Sequence, residues 1–120
     1  MTQALTITAP LTISDDIDVR RIVSDWSTAL KRRTGSGELA ASTTQTYRRG
    51  LHRFMVWCDE RQVESVSDDV LRDWLTELNE SYSPAAVNTW LAGVRAFFVW
   101  AVSAGRISHN PAAVVRAPKR

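Results

Sequence analysis

The sequence predicts an all-α fold: a bundle of four main helices with short connections and a short C-terminal turn or half-helix. Apolar residues recur at helical spacing in four stretches. Helix start signals precede those stretches, and Gly, Ser and Pro punctuate the gaps. No segment offers a convincing strand pair. The 120 residues make one domain, and 44% hydrophobic with 23% charged residues excludes a wholly disordered chain.

Residues 1–14 carry no charge, alternate loosely and contain Pro10, so they read as a flexible arm or a short extended edge. Ser14 followed by Asp15, Asp16 and Asp18 marks the first helix, because acids favour the positive end of the helix dipole. It runs to about Arg33 on an apolar stripe of Ile17, Ile22, Val23, Trp26 and Leu30. Gly35 and Gly37 open a loop. Ser42 is the expected cap of a second helix over about 43–61, with Tyr47, Leu51, Phe54, Met55 and Cys58 on its core side. Gly50 is a weak point in it, unfavourable by up to about 1 kcal/mol relative to Ala.

Ser67 with Asp68 and Asp69 starts the third helix, to about Asn79, whose core stripe is Val70, Leu71, Trp74, Leu75 and Leu78. Its acids, Asp69, Asp73, Glu77 and Glu80, are expected to face away from the rest. Ser83-Pro84, a cap followed by proline at the first helical position, starts the fourth, to about Ser103. Gly105 ends it, and Asn110-Pro111 opens the terminal turn through Val115. Residues 15–115 thus form the domain, preceded by the arm.

Several function classes are poorly served. One cysteine, Cys58, excludes a disulfide framework and a Cys-rich zinc site, and its place on the apolar stripe suits a buried structural thiol. The unbroken apolar runs fall short of the roughly 18 residues that span a bilayer, and no basic start precedes an apolar stretch. No membrane partner is expected, and the default location is cytoplasmic. His52 and His109 are far apart and form no metal signature. Asp68, Asp69, Asp73 and Glu77 suit a solvated helix flank better than a metal site. No catalytic constellation, metal, cofactor or small-molecule substrate is expected.

Charge is segregated although the net value is only +2. Residues 26–58 hold one acid against six bases, residues 59–80 eight acids against two bases, and residues 81–120 five bases and no acid. The bases of that last stretch have no local partners. On the second helix Arg48, Arg49 and His52 share a face with Gln45, and Arg53 flanks it. Cations neutralise phosphates, and the amide and hydroxyl groups of Thr44, Gln45 and Thr46 can reach phosphates or base edges. The fourth helix offers Asn88, Thr89 and Arg95 among Ala85, Ala92 and Ala96. Pattern alone reaches a helical domain suited to nucleic acid, with a helical protein-interaction module as the alternative. Trp57 and Trp100 fall off the main stripes and are expected mostly to cover the side of the bundle.

The ordered segments STTQTYRRGLHRFMVWCDER, VSDDVLRDWLTEL and SPAAVNTWLAGVRAFFVWAVSAGRISHNPAAVVRAPKR resemble the core-binding domain of tyrosine recombinases, the phage-integrase and Xer-like enzymes. The resemblance rests on Thr43 to Tyr47, Phe54, Trp57, Ser83-Pro84, Asn88, Leu91, Val94, Arg95, Phe97, Phe98, Trp100, Gly105, Ile107 and Asn110-Pro111. It implies a SAM-like fold that forms one jaw of a clamp on a double-stranded DNA half-site. Two helices of that jaw cross the DNA. Carried over, the DNA-binding residues are Thr44, Gln45, Arg48, Arg49, His52, Arg53, Asn88, Thr89 and Arg95. Ala85 departs from the polar residue some relatives place there. The resemblance also implies neighbouring protomers in a tetramer as partners. It places the tyrosine nucleophile in a C-terminal catalytic domain absent from this chain, with residues 116–120 as the linker toward it, so the chain itself is expected to be non-catalytic. About four phosphate contacts would give a slope of log K against log salt of about −3.6.

Overall fold

The computed structural model describes residues 10–13 and 17–116. Four helices dominate: α1 (Val19–Gly35), α2 (Ala41–Glu60), α3 (Asp68–Ser81) and α4 (Pro84–Ser103). The fold is nevertheless not purely helical. Three two-residue strands, β1 (Thr12–Ile13), β2 (Ile17–Asp18) and β3 (Ser65–Val66), form a sheet in the order β2-β1-β3. β1 pairs antiparallel with β2 and parallel with β3. Strands of two residues are too short to show a period-two pattern, which is why sequence reading misses them.

The sheet changes the account of the N-terminal arm. Leu11 and Ile13 are fully buried, and β1 lies in the centre of the sheet. Residues 1–9 of the arm, and the expected cap Ser14 with Asp15 and Asp16, lie outside the described residues. Asp18 caps α1 instead, its carboxylate accepting from the Arg20 amide at 3.0 Å. α2 starts earlier than expected, at Ala41. Ser42 lies inside its first turn, and Ala40 caps it through backbone alone, its carbonyl accepting from the Thr44 amide. α3 and α4 start as expected, with the Ser67 and Ser83 hydroxyls accepting from Val70 and Ala86 amides at 3.2 Å.

Three left-handed residues close helices, the first being Gly37, at φ 84°, after α1. Gly105, at φ 71°, follows α4, and the Arg106 amide turns back to the Ala101 carbonyl. Gln62 adopts φ 55° after α2, with the Val63 amide on the Cys58 carbonyl. Asn110 organises the terminal turn by accepting from the Ala112 amide at 2.8 Å, and Ala112 and Val115 are buried beneath it.

The core is aromatic as well as aliphatic. Trp74, Phe54, Phe97 and Phe98 are fully buried, Phe54 edge-on to Trp74 at 5.1 Å and Trp26 edge-on to Phe97 at 5.4 Å. Trp57 and Trp100 are half-buried and pack against this core. By length and apolar composition α4 could cross a bilayer, contrary to the expectation from unbroken runs. Its buried apolar residues, Val87, Leu91, Val94, Phe97 and Phe98, belong to the central core.

α2 and α4 meet backbone to backbone. A Cβ on Gly50 would lie 2.3 Å from the Trp90 carbonyl oxygen, and a Cβ on Gly93 would lie 2.3 Å from that of Tyr47. The partners run in opposite directions along the two helices, so the crossing is antiparallel, with two glycine contacts one turn apart. Gly50 is therefore the point of closest approach rather than a weak point, because only a residue without a side chain fits there.

Candidate nucleic-acid interface

Around the glycine crossing each helix exposes one face. On α2 it carries Gln45, Arg49, His52 and Val56; on α4 it carries Ala85, Thr89, Ala92 and Val99. The α2 positions recur every three or four residues and so form one strip. Arg49 is exposed and has no acidic partner among the described residues. The Thr89 hydroxyl donates to the Ala85 carbonyl at 3.0 Å, within its own helix, and its oxygen remains a possible acceptor.

The structure separates side chains that look alike in sequence. Thr44 is buried at 5% exposure, and its hydroxyl pairs with that of Thr34 at 2.7 Å, so it joins α2 to α1 instead of facing solvent. Arg48 is half-buried and donates to the Ser27 carbonyl on α1 at 3.0 Å. Arg95 donates to the Val115 carbonyl at 2.7 Å and fastens the terminal turn to α4. Asn88 is half-buried, with its side-chain oxygen enclosed. The site residues thus divide. Gln45, Arg49, His52 and Thr89 lie on the surface and Arg53 at its margin, whereas Thr44, Arg48 and Arg95 hold elements together.

Arg53 has a different environment again. Its guanidinium lies over the Trp90 ring at 3.9 Å and 5.1 Å from the Tyr82 ring centre. Arg49, His52 and Arg53 together line a cleft of about 530 Å³ whose apolar lining includes Trp57, Trp74 and Trp90. Tyr82 and Trp90 were not foreseen as site residues. Their signal in the sequence is weak, because Tyr82 is a turn residue and its meeting with Arg53 spans 29 positions.

The acids are arranged more closely around the bases than their sequence blocks suggest. Glu77 turns toward α2, where it accepts from the Trp57 indole at 3.0 Å and pairs with Arg61. The Arg61 hydrogen bond and charge, together with the indole N–H, hold its carboxyl below the ordinary Glu value despite some desolvation. Asp68 and Asp69 both pair with Arg72. Arg106, in the acid-free final stretch, pairs with Asp25 of α1, and Arg20 pairs with Asp59. These contacts neutralise the flanks but not the Gln45–Arg49–His52 strip. Cys58 is buried, and desolvation pushes its thiol up to about 12, so it stays protonated and inert at neutral pH.

Comparison with known proteins agrees with this architecture. Residues 23–105 match the family model described as phage integrase, N-terminal SAM-like domain. The chain is 33% identical over 86 residues to tyrosine recombinase XerC of Xanthomonas campestris pv. campestris (strain B100), covering 68% of this chain and 27% of that protein. It is 29% identical over 87 residues to tyrosine recombinase XerD of Listeria innocua, covering 68% of this chain and 29% of that one. The fold is similar to that of an integrase from mycobacterium phage Brujita, with a TM-score of 0.66 at 24% identity over 83% of this chain and 33% of that one. The chain spans less than a third of the length of these two curated relatives. With four helices and a family-model match over residues 23–105, the chain belongs to the phage-integrase N-terminal SAM-like domain family.

Proposed function

We propose that this chain is a DNA-binding domain of a site-specific tyrosine recombinase or integrase, one jaw of a clamp that closes on a duplex half-site during integration or recombination. The observation that carries this reading is the exposed Gln45–Arg49–His52 strip beside the alanine-lined face of α4. Arg49 meets phosphates. Gln45 and Thr89 make base-edge or water-mediated contacts. The small side chains of Ala85 and Ala92 let a sugar-phosphate backbone approach α4. The chain contributes binding rather than strand cleavage: Tyr47 is half-buried against the core and Tyr82 lies in the α3–α4 turn beside Arg53. Duplex DNA in the cytoplasm is its partner, together with neighbouring protomers of the assembled recombinase.

The burial pattern revises the salt dependence. With Arg48 and Arg95 held on backbone carbonyls, Arg49 and Arg53 are the guanidiniums left for phosphate, which gives a slope of log K against log salt of roughly −2. Fluorescence anisotropy of a short mixed-sequence duplex, titrated between about 50 and 200 mM salt, measures it. The expected Kd lies in the non-specific range, about 10⁻⁴ to 10⁻⁶ M at physiological salt. Arg49→Ala should reduce the magnitude of the slope by about 0.9 and weaken all sequences alike. A second reading, a helical protein-interaction module, is favoured by Val99 and Val102, exposed at 55% and 37% on the C-terminal half of α4. It requires self-association or partner binding that is insensitive to salt and no duplex binding, and sedimentation with and without DNA separates the two.

A further inference from the structure

We infer that Tyr82 and Trp90 are positioning residues that pre-set Arg53 for a phosphate without touching DNA themselves; the inference rests on the DNA-binding reading above. Arg49 and Arg53 are neighbours on the basic side of α2, yet only Arg53 is held. The central carbon of its guanidinium lies over Trp90, 3.9 Å from the ring centre. Tyr82 stands almost perpendicular to Trp90, at 88° with centroids 4.8 Å apart, and its hydroxyl is 3.5 Å from an Arg53 terminal nitrogen.

Both rings are themselves anchored. The Trp90 backbone is the surface that Gly50 meets, so the glycine crossing fixes the ring's origin. The Tyr82 amide donates to the Leu78 carbonyl at 2.8 Å and ends α3. Three elements, α2, the α3–α4 turn and α4, therefore converge on one guanidinium.

Trp90 covers one face of the guanidinium and leaves the donors of its edge, one of which faces the Tyr82 hydroxyl. The N–H donors lie in that edge, in the planar fork that matches a phosphate. A stacked arginine can bind an anion without leaving its ring, and it has already lost the rotamer freedom that a free side chain gives up on binding. Arg49 and His52 line the same cleft and offer the anion further donors, against the single carboxylate of Glu60 that also lines it.

The test is a comparison of affinity with salt slope in the 120-residue chain, using the same mixed-sequence duplex. Arg53→Ala removes a phosphate contact and should reduce the slope magnitude by about 0.9. Tyr82→Ala keeps the charge and the Trp90 contact but removes the second ring that confines the side chain. It should weaken binding about two- to tenfold with the slope unchanged. Tyr82→Phe keeps the ring and should stay near wild type. Tyr82 is exposed, so these variants should keep the fold, which a thermal melt verifies. The Arg53 Nε–H resonance of the free protein gives an independent readout, displaced by ring currents in wild type and shifted toward the ordinary value in Tyr82→Ala. Unchanged affinity in Tyr82→Ala, or an Arg53→Ala slope equal to wild type, overturns the inference while wild-type binding stands. Absence of wild-type binding overturns the DNA-binding reading and the inference with it.

Discussion

Replacing Gly50 by alanine tests the crossing on which the whole face depends. The added Cβ would sit 2.3 Å from the Trp90 carbonyl oxygen and 3.0 Å from the adjoining carbonyl carbon and Cα. All three atoms are backbone, so no side-chain rotation relieves the contact. The helices must part by about 1 Å to restore an ordinary carbon–oxygen distance, and a gap of that size forfeits roughly a quarter to a half of each facing dispersion contact. Several tens of atom pairs along such a seam, at about 0.1–0.2 kcal/mol each, place the loss at roughly 2–3 kcal/mol. Alanine's better helix propensity returns about 1 kcal/mol. The net expectation is destabilisation of about 1–2 kcal/mol, within the usual range for overpacking. Urea unfolding followed by tryptophan fluorescence measures it. Gly93→Ala should behave alike, because its Cβ meets the Tyr47 carbonyl at the same 2.3 Å. The double variant should fall short of the sum, since the first substitution already parts the helices. Equal or greater stability of Gly50→Ala would refute the close crossing.

Three further expectations follow from local chemistry. Gln62→Gly should stabilise the chain by about 0.5–1 kcal/mol in the same urea assay, because Gln62 holds φ 55° after α2, where glycine is unstrained. The Cys58 thiol, raised from 9.0 to about 12 by burial, binds its proton more tightly in the folded state. Its contribution is therefore fully present below pH 9 and lost as pH rises toward 12, and stability measured across that window should fall more steeply in wild type than in Cys58→Ala. Glu77, held low by Arg61 and the Trp57 indole, contributes above the ordinary Glu value and loses that contribution as pH falls through its own lower one. Trp57 fluorescence should report a transition at lower pH than an unpaired glutamate shows, and Glu77→Gln should abolish it.

What the sequence made legible was local. Ser67 and Ser83 announce α3 and α4 because each hydroxyl accepts from an amide three residues on. α2 carries no such signal, since Ala40 caps it through a carbonyl alone, and Ser42 two residues later, inside the first turn, imitates a cap. The sheet depends on Thr12 meeting Ser65, a pairing that no window along the chain contains. The same distinction runs through the site. A helical wheel puts Arg48, Arg49 and Arg53 on or beside one basic face. The Ser27 carbonyl draws the first toward α1, solvent surrounds the second, and Trp90 holds the third. Glu77 belongs to an acidic helix face by spacing, yet Trp57 and Arg61 turn it inward to α2.

The parallel pairing of β1 with β3 has a consequence for the order of assembly. Thr12 both donates its amide to Glu64 and hydrogen-bonds it through its hydroxyl, across 52 positions that contain all of α1 and α2. Such a contact is rewarded only after the intervening helices have docked, because closing the loop carries its entropy first. The strand is thus a latch that fastens last in folding and lifts first in unfolding. Native-state hydrogen exchange should find the Thr12 amide opening before the amides of α2 and α4, so that Leu11 and Ile13 leave the core while the glycine crossing is still closed.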